Sequence, residues 1–211
     1  MRIVVFSDIH GNLPAFEKML MNEHDVGLYI SLGDVVNYGP WGNECVDLLE
    51  SLPSVRLMGN HEEYFLTGKY PGLNELVIRF FDTCFSQFDR AQQISGYIAH
   101  YEFNGYRFQH TINDSYIFPD SKIEISGKYF IGHSHHQFDR SADNYQIINV
   151  GSVGQNRSEI NVINYAVYDT EADTVQFISL VYDLDLLISK MKALRYHQSC
   201  IDYYLQKRLR C

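Results

Sequence analysis

The sequence has no stretch approaching the ~18 consecutive apolar residues that a membrane-spanning helix needs. Its apolar start, Ile3 to Phe6, is cut off by Asp8, too early for the core of a secretory signal. The four cysteines, Cys45, Cys84, Cys200 and Cys211, are scattered with no CxxC pair. That excludes a dense disulfide framework and points to reduced thiols in a cytosolic setting. Positive charge is in short supply: 17 Lys and Arg against 26 Asp and Glu give a formal charge of -9. Such a balance argues against a broad nucleic-acid footprint. It does not exclude a small phosphorylated substrate, because bound cations supply local positive charge. There is no HExxH helix of the zinc-peptidase kind, no low-complexity tract, no internal repeat and no linker. We therefore expect one soluble, cytoplasmic domain over residues 1–211, ending in a helical tail from about residue 183.

What is present is an alternation of strand and helix patterns. Arg2 to Ser7 is β-branched and nearly all apolar, as in a strand buried on both faces. Pro14 suits a helix first turn, and Phe16, Met19 and Leu20 continue a helical pattern. Val26 to Leu32 and Val55 to Met58 read as further strands, separated by a helix from Asn43 to Leu52. This order indicates a mostly parallel sheet. Residues Leu73 to Phe88 recur at helical steps, and Asn104-Gly105 marks a hairpin between Gly96–Phe103 and Tyr106–His110. Lys128 to Ile131 and Tyr145 to Val150 follow as strands, then a hairpin from Asn164 to Val181. Helices over Asp183–Leu194 and Ser199–Arg208 complete the pattern.

Polar clusters begin where the first strands end, the edge at which open α/β sheets bind ligands. Asp8, His10, Asp34, Asn60 and His61 fall on that rim, and five of the nine histidines (His10, His61, His110, His133, His135) sit beside Gly, Asp, Asn or a strand end. On an extended backbone Asp8 and His10 project to the same side, as do His133 and His135. Carboxylate, amide and imidazole donors suit Mn, Fe or Zn rather than a soft thiolate site. The candidates outnumber what one tetrahedral ion needs, so two ions sharing a carboxylate are expected. Singly these signals are weak, since DxH is frequent by chance and GD and GNH are ordinary turns. Their joint order, each at a strand end, is specific.

Asp8-x-His10, Gly33-Asp34, Gly59-Asn60-His61, His110 and Gly132-His133-x-His135 together resemble the calcineurin-like metallophosphoesterase superfamily. The runs GDVVNYGPWGNECVDLL and NVGSVGQNR resemble its small single-domain bacterial and archaeal branch, over about residues 1–181. The resemblance implies a four-layer α-β-β-α sandwich: two mixed sheets flanked by helices. It implies that Asp8, His10 and His135 hold one metal, that Asn60, His110 and His133 hold the other, and that Asp34 bridges them. Of the possible ions, Mn2+ is favoured over Fe2+ or Zn2+. A hydroxide between the ions would attack phosphorus in line, with His61 assisting the leaving group. The chain departs from its relatives at Thr111 and Asn37, where Gly is usual, and at Val150 and Asn156, where Pro is common.

Arg157 follows GSVGQN and is a candidate for a substrate phosphate. His136 reads as a loop residue beside a ligand, and His24, His100 and His197 as surface or packed residues. Tyr64, Phe65, Tyr70, Tyr101, Tyr106, Tyr116 and Phe118 crowd the middle segment. They read as core packing or, for some, as a wall for a nucleobase. The basic tail (Lys190, Lys192, Arg195, Lys207, Arg208, Arg210) reads as solvated helix faces. The expected substrate is a phosphorylated small molecule or nucleotide, with diesters favoured, nucleic acid possible but not favoured, no membrane partner, and a homo-oligomer left open. The competing class is a non-catalytic protein-binding scaffold, which would be expected to have lost ligands or His61.

Overall fold

The structure, a computed structural model, describes residues 1–209; Arg210 and Cys211 lie outside the described residues. The first half alternates β1 (Arg2–Phe6), α1 (Leu13–Asn22), β2 (Leu28–Ser31), α2 (Gly42–Glu50) and β3 (Ser54–Arg56), then α3 (Asn60–Thr67), α4 (Glu75–Phe85) and α5 (Ala91–Ile94). The second supplies β4 (His100–Phe103), β5 (Tyr106–Gln109), β6 (Gly127–Ile131), β7 (Gln137–Ala142), β8 (Tyr145–Val150), β9 (Val162–Asp169) and β10 (Thr174–Val181). Helices α6 (Asp185–Ala193) and α7 (Gln198–Gln206) follow β10.

Two five-stranded sheets form, ordered β10-β9-β1-β2-β3 and β4-β5-β6-β8-β7. In the first, β1, β2 and β3 run parallel while β9 lies antiparallel to both of its neighbours, β1 and β10. In the second, β5, β6 and β8 are parallel and the edges β4 and β7 antiparallel. Each is mixed because its parallel strands need crossovers whereas its hairpins, β9–β10 in the first and β4–β5 and β7–β8 in the second, close by short turns. The expected sandwich of two mixed sheets flanked by helices is what the chain forms.

Side-chain alternation explains the layering. Ile3 and Val5 of β1 face the other sheet, joining Ile30, Phe108, Phe130 and Ile148 in the inter-sheet core. There the Phe108 and Phe130 rings stack at 4.8 Å. Val4 and Phe6 face outward, against Phe16 and Met19 of α1, Val46 of α2, Phe80 of α4, Leu187 of α6 and Tyr204 of α7. Each large apolar side chain so buried contributes about 1.5–3 kcal/mol. The C-terminal helices thus belong to the main helix layer. The outer face of the second sheet carries a smaller cluster in which Ile112, Ile117, Ile123 and Ile125 cover Ile131 and Ile147.

Several elements differ from their sequence patterns. Strand β7 and helix α3 carried no strong periodic signal: QFDRSA is a half-exposed edge, and Asn60 and His61 open a helix instead of lying in a turn. Helix α4 starts after its Asn74 cap, whose Oδ1 accepts from Leu76 N and Val77 N, and leaves Leu73 94% exposed outside it. Among the described residues no helix is long and apolar enough to cross a membrane.

Candidate metal centre

Three groups of side chains converge where strands of both sheets end: Asp8, His10 and His135; His10, Asp34 and His61; and Asp34, His110 and His133. They arrive differently from the sequence expectation. The backbone at these positions is left-handed, not extended, with φ of +56° at Asp8, +50° at His10, +55° at Asp34, +63° at His133 and +60° at His135. An L-residue disfavours this region by roughly 1–2 kcal/mol. Such conformations persist only where surrounding contacts over-determine them. Here Asp8 and His10 reach one cluster through consecutive tight turns, held by Asp8 N–H to Gly33 O and His10 N–H to Asp34 O, both 3.0 Å.

Asp34 sits between the groups. Its Oδ2 lies 3.3 Å from His110 Nε2 and 3.9 Å from the Nε2 of both His10 and His61. His135 Nε2 stands 3.0 Å from Asp8 Oδ1 and 3.3 Å from His10 Nε2. His110 Nε2 stands 3.0 Å from both Asn60 Oδ1 and His133 Nδ1. All the candidate ligands from the sequence, and His61 with them, are thus brought together, and all except the partly exposed Asn60 are buried.

Tautomers follow from the outer hydrogen bonds. Nδ1–H of His10 donates to Val36 O, that of His110 to Leu32 O, and that of His135 to Gln155 O. The Nε2 atoms of His10 and His135 therefore turn lone pairs inward, the arrangement of imidazoles oriented for a cation. Two such lone pairs 3.3 Å apart repel each other unless a proton or a metal cation lies near. Asp8 Oδ1 is buried and accepts no well-directed hydrogen bond. This donor set fits divalent cations.

The electrostatics agree. Burial alone would raise the Asp8 carboxyl, but the His135 imidazole against it holds it below the usual carboxylate range. Asp34 is likewise lowered, burial being outweighed by His110 and His61. Burial opposes charge on His110, yet the adjoining Asp34 raises its imidazole to about 10. His133 is pushed down to about 4 by burial and by His110, and burial lowers His10 and His61.

Supporting residues were not all legible in the sequence. Glu62 is fully buried, and its carboxylate accepts four backbone N–H groups: Asp34 at 2.7 Å, Val35 at 2.7 Å, Val36 at 3.2 Å and Gly59 at 2.9 Å. It ties the GD loop to the start of α3. Gly59 is required there because a Cβ would run into Asp34. Gly132 is required because a Cβ would run into Ser7 and Asp8. The GSVGQ segment wraps the first turn: Ser152 Oγ and Gly154 N–H both donate to Asp8 O. Asn156, in place of proline, accepts from Ser158 N and Glu159 N. Thr111 donates through its hydroxyl to Ser115 O. Asn37 adopts φ +74° and its Nδ2 donates to His61 Nδ1 at 2.8 Å.

Among the secondary candidates, Arg157 lies at the rim, partly buried, with Nη1 3.4 Å from Tyr203 OH. His136 packs beside Phe118. Phe65 and Tyr106 are core residues, whereas the Tyr64 ring meets His61 edge-on at 5.4 Å and Tyr116 stacks on His133 at 4.1 Å. His24 and His197 are exposed, and so is His100, which lines a groove beside the cluster. In the tail, Lys190 and Lys192 lie in the last turn of α6, Lys207 sits over the Tyr203 ring, and Arg208 pairs with Asp185.

The comparisons agree with this picture. The sequence matches the calcineurin-like phosphoesterase family over residues 1–189. It is 28% identical to an uncharacterized protein of Methanocaldococcus jannaschii over an alignment of 227 residues, covering 90% of this chain and 91% of that one. A metallophosphoesterase from Sphaerobacter thermophilus superposes with a TM-score of 0.78 at 24% identity, covering 97% of this chain and 99% of that one. A hypothetical protein from Pyrococcus horikoshii superposes at 0.80 with 14% identity, covering 96% and 97%. The family uses divalent metal ions, and this chain, a metallophosphoesterase, belongs to the calcineurin-like phosphoesterase family.

Proposed function

We propose that the protein hydrolyses phosphodiesters or nucleotide-type phosphate esters by in-line attack of water on phosphorus. Asp8, His10 and His135 would hold one cation, Asn60, His110 and His133 a second, and Asp34 both. The observation that carries this reading is Asp34 Oδ2, which faces histidine nitrogens of both groups within 4 Å. Oxygen and imidazole donors favour Mn2+, with Fe2+ and Zn2+ as alternatives. Divalent ions there supply Lewis acidity for the phosphoryl oxygens and lower the pKa of water.

The remaining chemistry belongs to the chain. Because Asn37 Nδ2 can only donate, His61 Nδ1 is the acceptor, and the ring proton of neutral His61 resides on Nε2. Nε2 faces Asp34, so it presents a donor to an oxygen leaving phosphorus at the cluster. Arg157 forms no ion pair with a carboxylate among the described residues, which suits it to a substrate phosphate. The intact set, His61 included, favours catalysis over a scaffold.

Metal-free protein reloaded with Mn2+ is expected to hydrolyse bis-p-nitrophenyl phosphate better than the p-nitrophenyl monoester. Asp34→Asn should abolish turnover and lower bound metal. His61→Ala should cost about a hundredfold in kcat with metal content nearly intact. Equal activity of wild type and Asp34→Asn would overturn the reading.

A further inference from the structure

A groove of about 510 Å³ opens beside His110 and His133, between the start of α3, the outward side of β5 and the segment after His110. Along β5, Tyr106 and Phe108 point into the inter-sheet core, so Arg107 and Gln109 point the other way, into this groove. At roughly 3.3 Å per residue, Arg107 lies about 10 Å along the strand from His110. The groove therefore starts at the metal-binding side chains and ends at a guanidinium.

Three observations describe what fits. Tyr116 is 57% exposed and lines the groove, its ring stacked on His133 and in no other ring contact among the described residues. Tyr64, on the α3 side, stands edge-on to His61 and to Tyr70. Arg107 has a buried Nε without a hydrogen-bond partner, and its guanidinium is only loosely paired, 4.0 Å from the exposed Glu102. The side chains of Glu63 and Asp114 complete the walls. A hydrocarbon tail would leave these charged groups desolvated and unpartnered. A flat heteroaromatic ring with donors and acceptors on its edge would use both the exposed tyrosine ring and the polar walls.

We propose that this groove is a nucleoside subsite: the base of a nucleotide ester stacks on Tyr116 and presents edge acceptors to Arg107 while its phosphorus sits at the Asp34 cluster. The assignment rests on the phosphoesterase reading above and names its substrate class.

Two diesters with the same p-nitrophenolate leaving group test it: thymidine 5′-(p-nitrophenyl phosphate) and methyl p-nitrophenyl phosphate, offered to the Mn2+-loaded protein. The nucleoside ester should show a kcat/KM about tenfold higher, chiefly through KM, and Tyr116→Leu should erase that ratio while Tyr116→Trp keeps it. Fluorescence titration with 1,N6-ethenoadenosine monophosphate gives a second readout. Its Kd should rise about tenfold in Tyr116→Leu and several-fold in Arg107→Gln. Equal kcat/KM for the two esters in the wild type overturns the subsite and leaves the phosphoesterase reading standing. Hydrolysis of neither ester counts against that reading instead. The nucleotide titration then decides the groove alone, with identical binding to wild type and Tyr116→Leu rejecting it.

Discussion

Asn37 occupies a left-handed position that a glycine would fill without strain, and it uses the side chain that glycine lacks. Its amide fixes which nitrogen of His61 carries the proton, and its Oδ1 is left buried without a partner. A buried acceptor without a partner costs roughly 1–3 kcal/mol. On the proposed mechanism the Asn37–His61 hydrogen bond orients a donor toward the leaving oxygen, which matters most when that oxygen leaves as a strong base. Asn37→Gly suits the backbone conformation and removes the buried amide with its hydrogen bond to His61. With a methanol-releasing ester its kcat should fall about tenfold, and with a nitrophenolate-releasing ester less than about threefold, at unchanged metal content. Equal losses on both esters would mean that Asn37 does not act through His61.

At the scale of elements, the site depends on how loops are tied together. The Glu62 carboxylate joins the β2–α2 loop to the first turn of α3, reaching back to the N–H of Gly59 at the helix start. Glu62→Ala strands four buried N–H groups, which we expect to cost ~3 kcal/mol or more. For a chain of this size that is a fall in Tm of roughly 6–12 °C. Metal content should fall with it, because the Asp34 turn loses its tether, and Glu62→Gln should lie between. A variant matching wild type in both readouts would show that the tether is dispensable. Glu62 was legible in principle, as the Glu three residues after Gly59 that opens a helix, but the GNH block reads first as a turn. Strands with both faces buried, such as β1, and helices with one apolar face, such as α6, are plain in the sequence because burial imposes their period. The edge strand β7 has little to bury and leaves no such trace. Left-handed turns leave none either: Asp8-x-His10 reads as an extended pair, and the turn is held by contacts distant in sequence, with Gly132 and the GSVGQ segment packed on Asp8 and the GD loop bonded to Asp8 and His10.

Across the whole molecule, side chains separated by more than a hundred residues meet at one point, as His10 and His135 do. Which residues would meet was readable, since each block follows a strand or opens a helix at one rim. How they would meet was not, because distances among Asp34, His110 and His133 depend on two sheets packing face to face. That assembly concentrates left-handed backbone, inward lone pairs and a buried carboxylate oxygen, Asp8 Oδ1, without a directed partner in one place. Binding of cations to the folded state alone should therefore stabilise the entire chain. At a hundredfold excess over Kd each site contributes about 2.7 kcal/mol, so two sites should raise Tm by roughly 10–20 °C. The sign of the pH dependence follows from His110. Without a cation Asp34 holds its proton up to about 10, and ligation requires the neutral ring, so binding expels a proton. Apparent Mn2+ affinity should then rise with pH across neutrality, and protons should be released into a weakly buffered solution during calorimetric titration. Asp34→Asn removes both the shared ligand and the cause of the raised His110. It should leave Tm almost insensitive to Mn2+ and flatten the pH dependence of whatever binding persists. A wild-type Tm that does not move when Mn2+ is added and then chelated would mean that this cluster is not a metal centre.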